Sequence, residues 1–468
     1  MIKKTSFLLL LLALNTWCFS AVIHGFAPDF KGKMISMYTY SDYLTLSKVK
    51  IGEAMVDPGN GTFELSFDTK QIIKVLLAAG NTNAEIYLGP DTDYELYYKL
   101  AEDTPISFAT QKATTYFKNL DSTDINYKVL KFNNWFDEFI YVKRNEIMRF
   151  GMSPQIDTFK LYAYNAYANE KDAFFNNYVR YFIANLEQLK VSSKYRKTKM
   201  AYYLEYIKPF PVSAFDDQYM AFIKGFYSND LNSFSKQIES DIVLAILHQS
   251  PSRLMRAMHR DPYFEKDEIR ELMMVNMLGN AYYKRQYNRN NIQVMLDSIV
   301  KFAKFKSSGL AAQNIIGELT KAESGYPAPE FVVSFEGKEL KLTEMKDKFV
   351  YMSFFATWNP ISMNDLTLMQ DLYVKYSEYV TFISFCTDKD KATFDAFLLE
   401  NPGYDWPIVY LGEEADIIKD FKVASIPYYI LIDQEGIIAR SPAGSPSPDG
   451  LYKTIEDTFK YIKTQMDK

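Results

Sequence analysis

Between residues 21 and 108 apolar and polar side chains alternate. In FKGKMISMYTYSD and around GTFELSFD every second position is apolar, the period that turns one side of a strand toward a core. Turn-forming clusters cut these runs at Asp57-Pro58-Gly59-Asn60-Gly61, Gly80-Asn81 and Gly89-Pro90-Asp91, and TDYELYYKL at 92–100 supplies a further strand. About six or seven short strands predict a small β-sandwich. From 109 to 322 the period becomes helical. Phe136, Phe139, Ile140, Ile147 and Phe150 form one stripe, closed by Gly151. Phe175, Tyr178, Val179, Phe182, Leu186 and Leu189 form a second, and Ile292, Met295, Leu296, Ile299, Phe302 and Ala303 a third. Each is a single apolar face that must bury against neighbours, so an all-α region of about eight to ten helices is expected. No fixed repeat period supports a regular solenoid.

ESGYPAPE at 323–330 reads as a Pro/Gly linker. Beyond it, strands and helices alternate. The strands are FVYMSFF (349–355), VTFISFC (380–386), PIVYL (407–411), YYILID (428–433) and IIARS (437–441), with helices over about 360–378, 389–399, 413–421 and 449–465. Near-continuous apolar strands flanked by helices indicate a sheet buried on both faces. The expected layout is a multidomain α+β chain. It comprises a signal peptide at 1–20, a β-sandwich-like domain at 21–108, a helical domain at 109–322, a linker at 323–330 and an α/β domain at 331–468.

Composition changes this picture little. Of 468 residues, 48% are hydrophobic and 24% charged, as in ordinary globular proteins. The 36 Tyr and 35 Phe, many of them between about 110 and 285, read first as packing mass and alternatively as a binding groove. The formal charge is −5, the wrong sign for phosphate backbones, so neither nucleic acid nor a polybasic membrane contact is expected. At the N-terminus Lys3 and Lys4 precede the apolar run FLLLLLAL, and Cys18 and Ser20 suit cleavage before Ala21. The run is too short to span a bilayer. The mature protein is therefore expected to be exported to a periplasm, without a transmembrane segment. Lipid attachment at Cys18 is the rival reading, which the bulky Trp17 disfavours. Of the two cysteines, Cys18 and Cys386, cleavage leaves only Cys386, so no internal disulfide is possible.

The stretch FATWNPISM at 355–363 carries the candidate chemistry. The C-terminal region resembles a thioredoxin-fold domain of the TlpA/ResA type in an ordered set of landmarks. These are Pro327-Ala328-Pro329-Glu330-Phe331, Lys348-Phe349-Val350, Phe355-Ala356-Thr357-Trp358, Pro407-Ile408, and Val423-Ala424-Ser425-Ile426-Pro427 followed by Asp433 and Gly436. The three-part layout also resembles a group of exported bacterial proteins with a β-rich start, a helical middle and a thioredoxin-like end. The resemblance implies a cis-proline at Pro427 and a Trp-Cys-x-x-Cys site in which one thiolate attacks a disulfide and the second thiol resolves it. Here Asn359 and Ser362 stand at the two sulfur positions. Neither a carboxamide nor an alcohol can form a disulfide, so dithiol exchange is excluded there.

Asn is a favoured N-cap and Pro a favoured first helical residue, so Asn359-Pro360 reads as a helix start. Asp365 falls where the family carries an acidic residue and is expected to complement the helix dipole. A serine nucleophile at Ser362 lacks a base, because His24, His248 and His259 all lie outside this domain. His248 and His259, like His24 and Asp29, are too poorly placed to hold a metal, and Met273, Met274 and Met277 read as core filler. Cys386 ends a strand beside the site and reads as a small buried hydrophobe. Three functions remain open. The first is a non-catalytic protein- or peptide-binding surface formed by Trp358, Asn359, Ser362, Asp365 and Pro427. The second is a thiol-disulfide oxidoreductase acting through Cys386 alone. The third is an envelope scaffold carried by the helical middle. Partners are expected to be periplasmic or envelope proteins, and no cofactor is implied.

Overall fold

Strand-forming sequence begins the described chain. The computed structural model describes residues 20–79, 82–100, 111–118, 120–190, 197–228, 234–345, 347–412, 415–448 and 453–467. The expected signal peptide with Cys18 and the turn expected at Gly80-Asn81 fall outside the described residues. Eight strands follow: β1 (Ser20–Phe26), β2 (Met34–Tyr40), β3 (Lys48–Met55), β4 (Thr62–Asp68), β5 (Ile73–Ala79), β6 (Thr82–Leu88), β7 (Asp93–Leu100) and β8 (Gln111–Phe117). They form one hydrogen-bonded order, β3-β2-β5-β6-β8-β7-β1-β4, where the strand spacing had suggested a sandwich of two sheets. The short parallel pairing of Thr82 with Gln111 and Asn83 with Lys112 joins the two halves. Alternation decides which residues face inward: Ile23, Ile35, Met37, Leu65, Val75, Leu77, Ile86, Leu96 and Tyr98 share one core. β8 falls inside the stretch read as helical. Its last five residues, ATTYF, are rich in β-branched and aromatic side chains, which favours a strand.

The helices are α1 (Ile125–Phe150), α2 (Ser153–Ala166), α3 (Ala173–Gln188), α4 (Lys199–Tyr202), α5 (Asp217–Phe226), α6 (Lys236–Leu247), α7 (Pro251–Met258), α8 (Asp267–Ala281), α9 (Arg289–Phe302) and α10 (Lys306–Thr320). The aromatic mass read from composition is core. Phe132, Phe159, Phe175 and Tyr178 from α1, α2 and α3 pack with Tyr87 of β6, and the Phe132 ring meets Phe182 edge-on at 5.1 Å. The predicted stripes bury their central residues, but Phe150, Leu189 and Phe302 at helix ends are exposed. A buried charge cluster ties α2, α3 and the turn after α4 together. Glu187, fully buried, accepts from Tyr206 Oη at 2.6 Å and lies within 3.4 Å of the ammonium groups of Lys160, Lys190 and Lys197.

The chain divides into two compact units, Met1–Asn314 and Ile315–Lys468. In the second, β9 (Val332–Phe335) and β10 (Lys338–Lys341) form a hairpin turned by Glu336 and Gly337, both at positive φ. The main sheet comprises β11 (Phe349–Phe355), β12 (Val380–Cys386), β13 (Ile408–Tyr410), β14 (Tyr428–Ile432) and β15 (Ile438–Arg440), in the order β13-β12-β11-β14-β15. β11, β12 and β13 are parallel, β14 runs antiparallel to β11, and β15 antiparallel to β14. The helices are α11 (Pro360–Tyr376), α12 (Lys391–Glu400), α13 (Asp416–Asp420) and α14 (Ile455–Met466). Both faces of the sheet are buried, as the continuous apolar strands require. Tyr351, Phe355, Phe382 and Cys386 pack with residues of α11, α12 and α14 on one face. Val350, Met352, Phe354, Ile383 and Phe385 pack with Phe421 on the other. The segment expected to be a linker is pinned to the sheet. Gly325 N–H donates to Ile438 O at 2.8 Å, Ala328 N–H to Gly436 O at 2.9 Å, and Ile438 N–H to Tyr326 O at 2.8 Å. Extended Pro-flanked backbone has free donors and acceptors that an edge strand can satisfy.

Candidate functional site

The site forms at the carboxyl end of β11, where parallel strands of an α/β sheet gather ligands. Asn359 is the N-cap of α11, in extended conformation, and its Oδ1 accepts from the N–H groups of Ile361 at 3.0 Å and Ser362 at 3.2 Å. These are two of the orphan donors that every helix start must satisfy. The other end of the same amide faces the loop before β14, and Nδ2 donates to Ile426 O at 3.0 Å. The Ile426–Pro427 bond is cis. Asn359 therefore bridges the two segments that the sequence had assigned to one site.

The remaining site residues separate by depth. Trp358 and Ile361 are 71% and 60% exposed, beside the buried Ser362. The Ser362 Oγ has no hydrogen-bond partner among the described residues. Asp365 departs from its expected role. It lies beyond the first turn of α11, is buried, and accepts from Tyr429 Oη and, at 3.2 Å, from Ser447 N–H. It thus ties α11 to β14 and to the loop after β15 rather than complementing the helix dipole. Burial and the adjacent Asp365 carboxylate push the Tyr429 phenol far above its usual range, so it remains a donor.

Asp388 was not singled out from sequence, yet it holds the turn that carries Trp358. Its carboxylate accepts from Thr357 N–H at 3.0 Å and Thr357 Oγ1 at 2.6 Å. Thr387 adds bonds from N–H and Oγ1 to Phe355 O. No local motif marks Asp388, because its partner is 31 residues away. Cys386 is fully buried in the core that contains Phe394. Burial, reinforced by the nearby Asp388 charge, pushes its thiol up to about 12. A thiol so raised is overwhelmingly protonated at neutral pH and a poor nucleophile. His24, His248 and His259 lie in the other unit. No cluster of three or more metal-ligating side chains occurs among the described residues. No helix among them is long and apolar enough to cross a membrane.

A central β11 flanked by parallel β12 and antiparallel β14, α11 starting at the candidate site and a cis-proline opposite it together define a thioredoxin fold. The sequence matches the Redoxin family over residues 323–457. Through this region the chain belongs to the thioredoxin-like thiol-disulfide oxidoreductase family. Among its relatives, the thiol-disulfide oxidoreductase ResA of Bacillus cereus is 30% identical over 147 residues, which are 31% of this chain and 83% of the relative. ResA of Bacillus thuringiensis subsp. konkukian is 31% identical over 139 residues, 29% of this chain and 79% of the relative. The solved thioredoxin domain of a thiol-disulfide oxidoreductase from Bacteroides vulgatus aligns at 19% identity with a TM-score of 0.25, covering 30% of this chain and 96% of that one.

Proposed function

We propose that the C-terminal unit is a redox-inactive member of its family that binds extended polypeptide segments of envelope proteins by contact. The observation that carries this reading is the pair of groups at the sulfur positions: a carboxamide that caps α11 and a buried hydroxyl. Neither exchanges with a disulfide. The exposed Trp358 and Ile361 beside the Ile426–Pro427 loop supply apolar contact area. The burial of Cys386 favours this reading over one in which that thiol acts alone. Lys3 and Lys4 followed by FLLLLLAL support export.

The test compares the natural protein with an Asn359→Cys/Ser362→Cys variant. The natural protein is expected to leave insulin disulfides intact in the presence of a small dithiol, and the variant is expected to gain reductase turnover, because the helix start lowers a thiol pKa. The natural protein is also expected to bind reduced, carboxymethylated α-lactalbumin, a cysteine-blocked unfolded chain, and Trp358→Ala to weaken that binding. Insulin reduction by the natural protein, or no binding of the unfolded chain, refutes the proposal.

A further inference from the structure

The outward face of β4, β1, β7 and β8 carries two rows of side chains set by strand register. Phe26 pairs across with Tyr97 and Tyr97 with Tyr116, so one row is aromatic over three strands. Tyr97 and Tyr116 are 37% and 57% exposed. Phe26 and Tyr97 meet edge-to-face at 5.5 Å, which fixes both rings. Two residues along each strand the row is polar. His24 pairs with Glu64 on one side and Glu95 on the other, and Lys118 stands beyond Glu95 with Nζ 2.8 Å from its Oε2. The His24 ring is itself held between carboxylates, Nδ1 3.3 Å from Glu64 and Nε2 3.4 Å from Asp93. Phe26 and Tyr97 of the aromatic row and His24, Glu64, Glu95 and Lys118 of the polar row line an open cleft of about 410 Å³, with Tyr116 next to Tyr97 in register, within the size range of small-ligand sites.

We propose that this face binds a neutral oligosaccharide, with the apolar face of a pyranose ring on the tyrosines and its hydroxyls on the polar row. Aromatic rings offer flat apolar area with little loss of conformational entropy. Carboxylates only accept hydrogen bonds, ammonium groups only donate, and sugar hydroxyls do both, so the Glu64–His24–Glu95–Lys118 row matches a run of hydroxyls. Competing ligand classes fit less well. Glu64, Asp93 and Glu95 outnumber the one lysine of the row, Lys118, so the row repels phosphates. β1 and β7 are flanked by strands on both sides, so their backbone offers no free edge to a peptide strand.

Isothermal titration of the full chain with cellohexaose, maltohexaose, xylohexaose and N-acetylchitohexaose tests this. At least one is expected to bind with a Kd of about 1 mM or tighter. Tyr97→Ala and Tyr116→Ala are expected to weaken it roughly three- to tenfold, from the value of one aromatic contact. Glu64→Gln, at a solvent-exposed carboxylate, is expected to weaken it without altering the melting temperature, which keeps the test open if a tyrosine variant folds poorly. No binding by any of the four up to about 10 mM, unchanged affinity in the Glu64 variant, or binding of spermidine in their place overturns the proposal. None of these outcomes bears on the candidate site of the other unit.

Discussion

At Asn359 one side chain meets two demands. Its oxygen satisfies the start of α11 and its nitrogen satisfies the Ile426 carbonyl. The first role is legible in the dipeptide Asn-Pro, since capping depends on neighbours one to three residues away. The second is not, because 67 residues separate the partners. Asp365 and Asp388 make the same point. Each reads locally as a helix or loop carboxylate, and each proves to be a bracket whose partners lie far away in the sequence. Cys386 gives the prediction at this scale. With burial pushing its thiol up to about 12, iodoacetamide at pH 8 is expected to leave it unmodified in the native protein and to label it fully in guanidinium chloride, read by intact mass. Rapid native labelling would show an open, thiolate-forming site and would revive single-thiol chemistry.

At the scale of elements, the joint between the eight-stranded sheet and the helices of the first unit is electrostatically unbalanced. Asp216, the N-cap of α5, is buried and accepts from Tyr219 N–H and from Asn177 of α3, both at 2.8 Å. Its neighbour Asp217 pairs with Lys74 of β5 at 3.0 Å and takes Tyr87 Oη of β6 at 3.1 Å. Lys74 also serves Glu85, at 2.7 Å. Burial raises Asp216 to about 6, whereas an unfolded Asp titrates near 3.9. Between these values the folded state holds the proton and the unfolded state does not. The contribution is therefore complete below about pH 4 and lost as pH rises through about 6. Asp216→Asn keeps the cap and removes the charge. The variant is expected to gain on the order of 2 kcal/mol over the natural protein at pH 7.5 and nothing at pH 4, measured by urea unfolding at both. Equal differences at the two pH values would place the titration elsewhere. The stripes of α3 and α9 were legible because their period is local. The strand β8 was not, because seven residues carry too little pattern to outweigh the helical sequence that follows.

At the scale of the whole molecule, two units with separate cores are expected to unfold in two calorimetric transitions. Asn359→Ala, which deletes a cap and its bond to Ile426, should lower one of them by about 1–2 kcal/mol. Glu187→Ala, which strands three lysines, should lower the other by about 3–5 kcal/mol. A single transition shifted by both variants would contradict this division. The sequence by itself determined the order of the five strands of the main C-terminal sheet and its helices, the helix cap at Asn359 and the presence of Asn359 and Ser362 in place of thiols. Periodicity, capping and the presence of sulfur are properties of neighbouring residues. Only the tertiary structure decided that the ESGYPAPE segment joins a sheet edge, that Asp365 turns inward and that aromatic and polar rows align across β1, β4, β7 and β8. Each depends on register and burial between residues far apart in the chain, which no local pattern encodes.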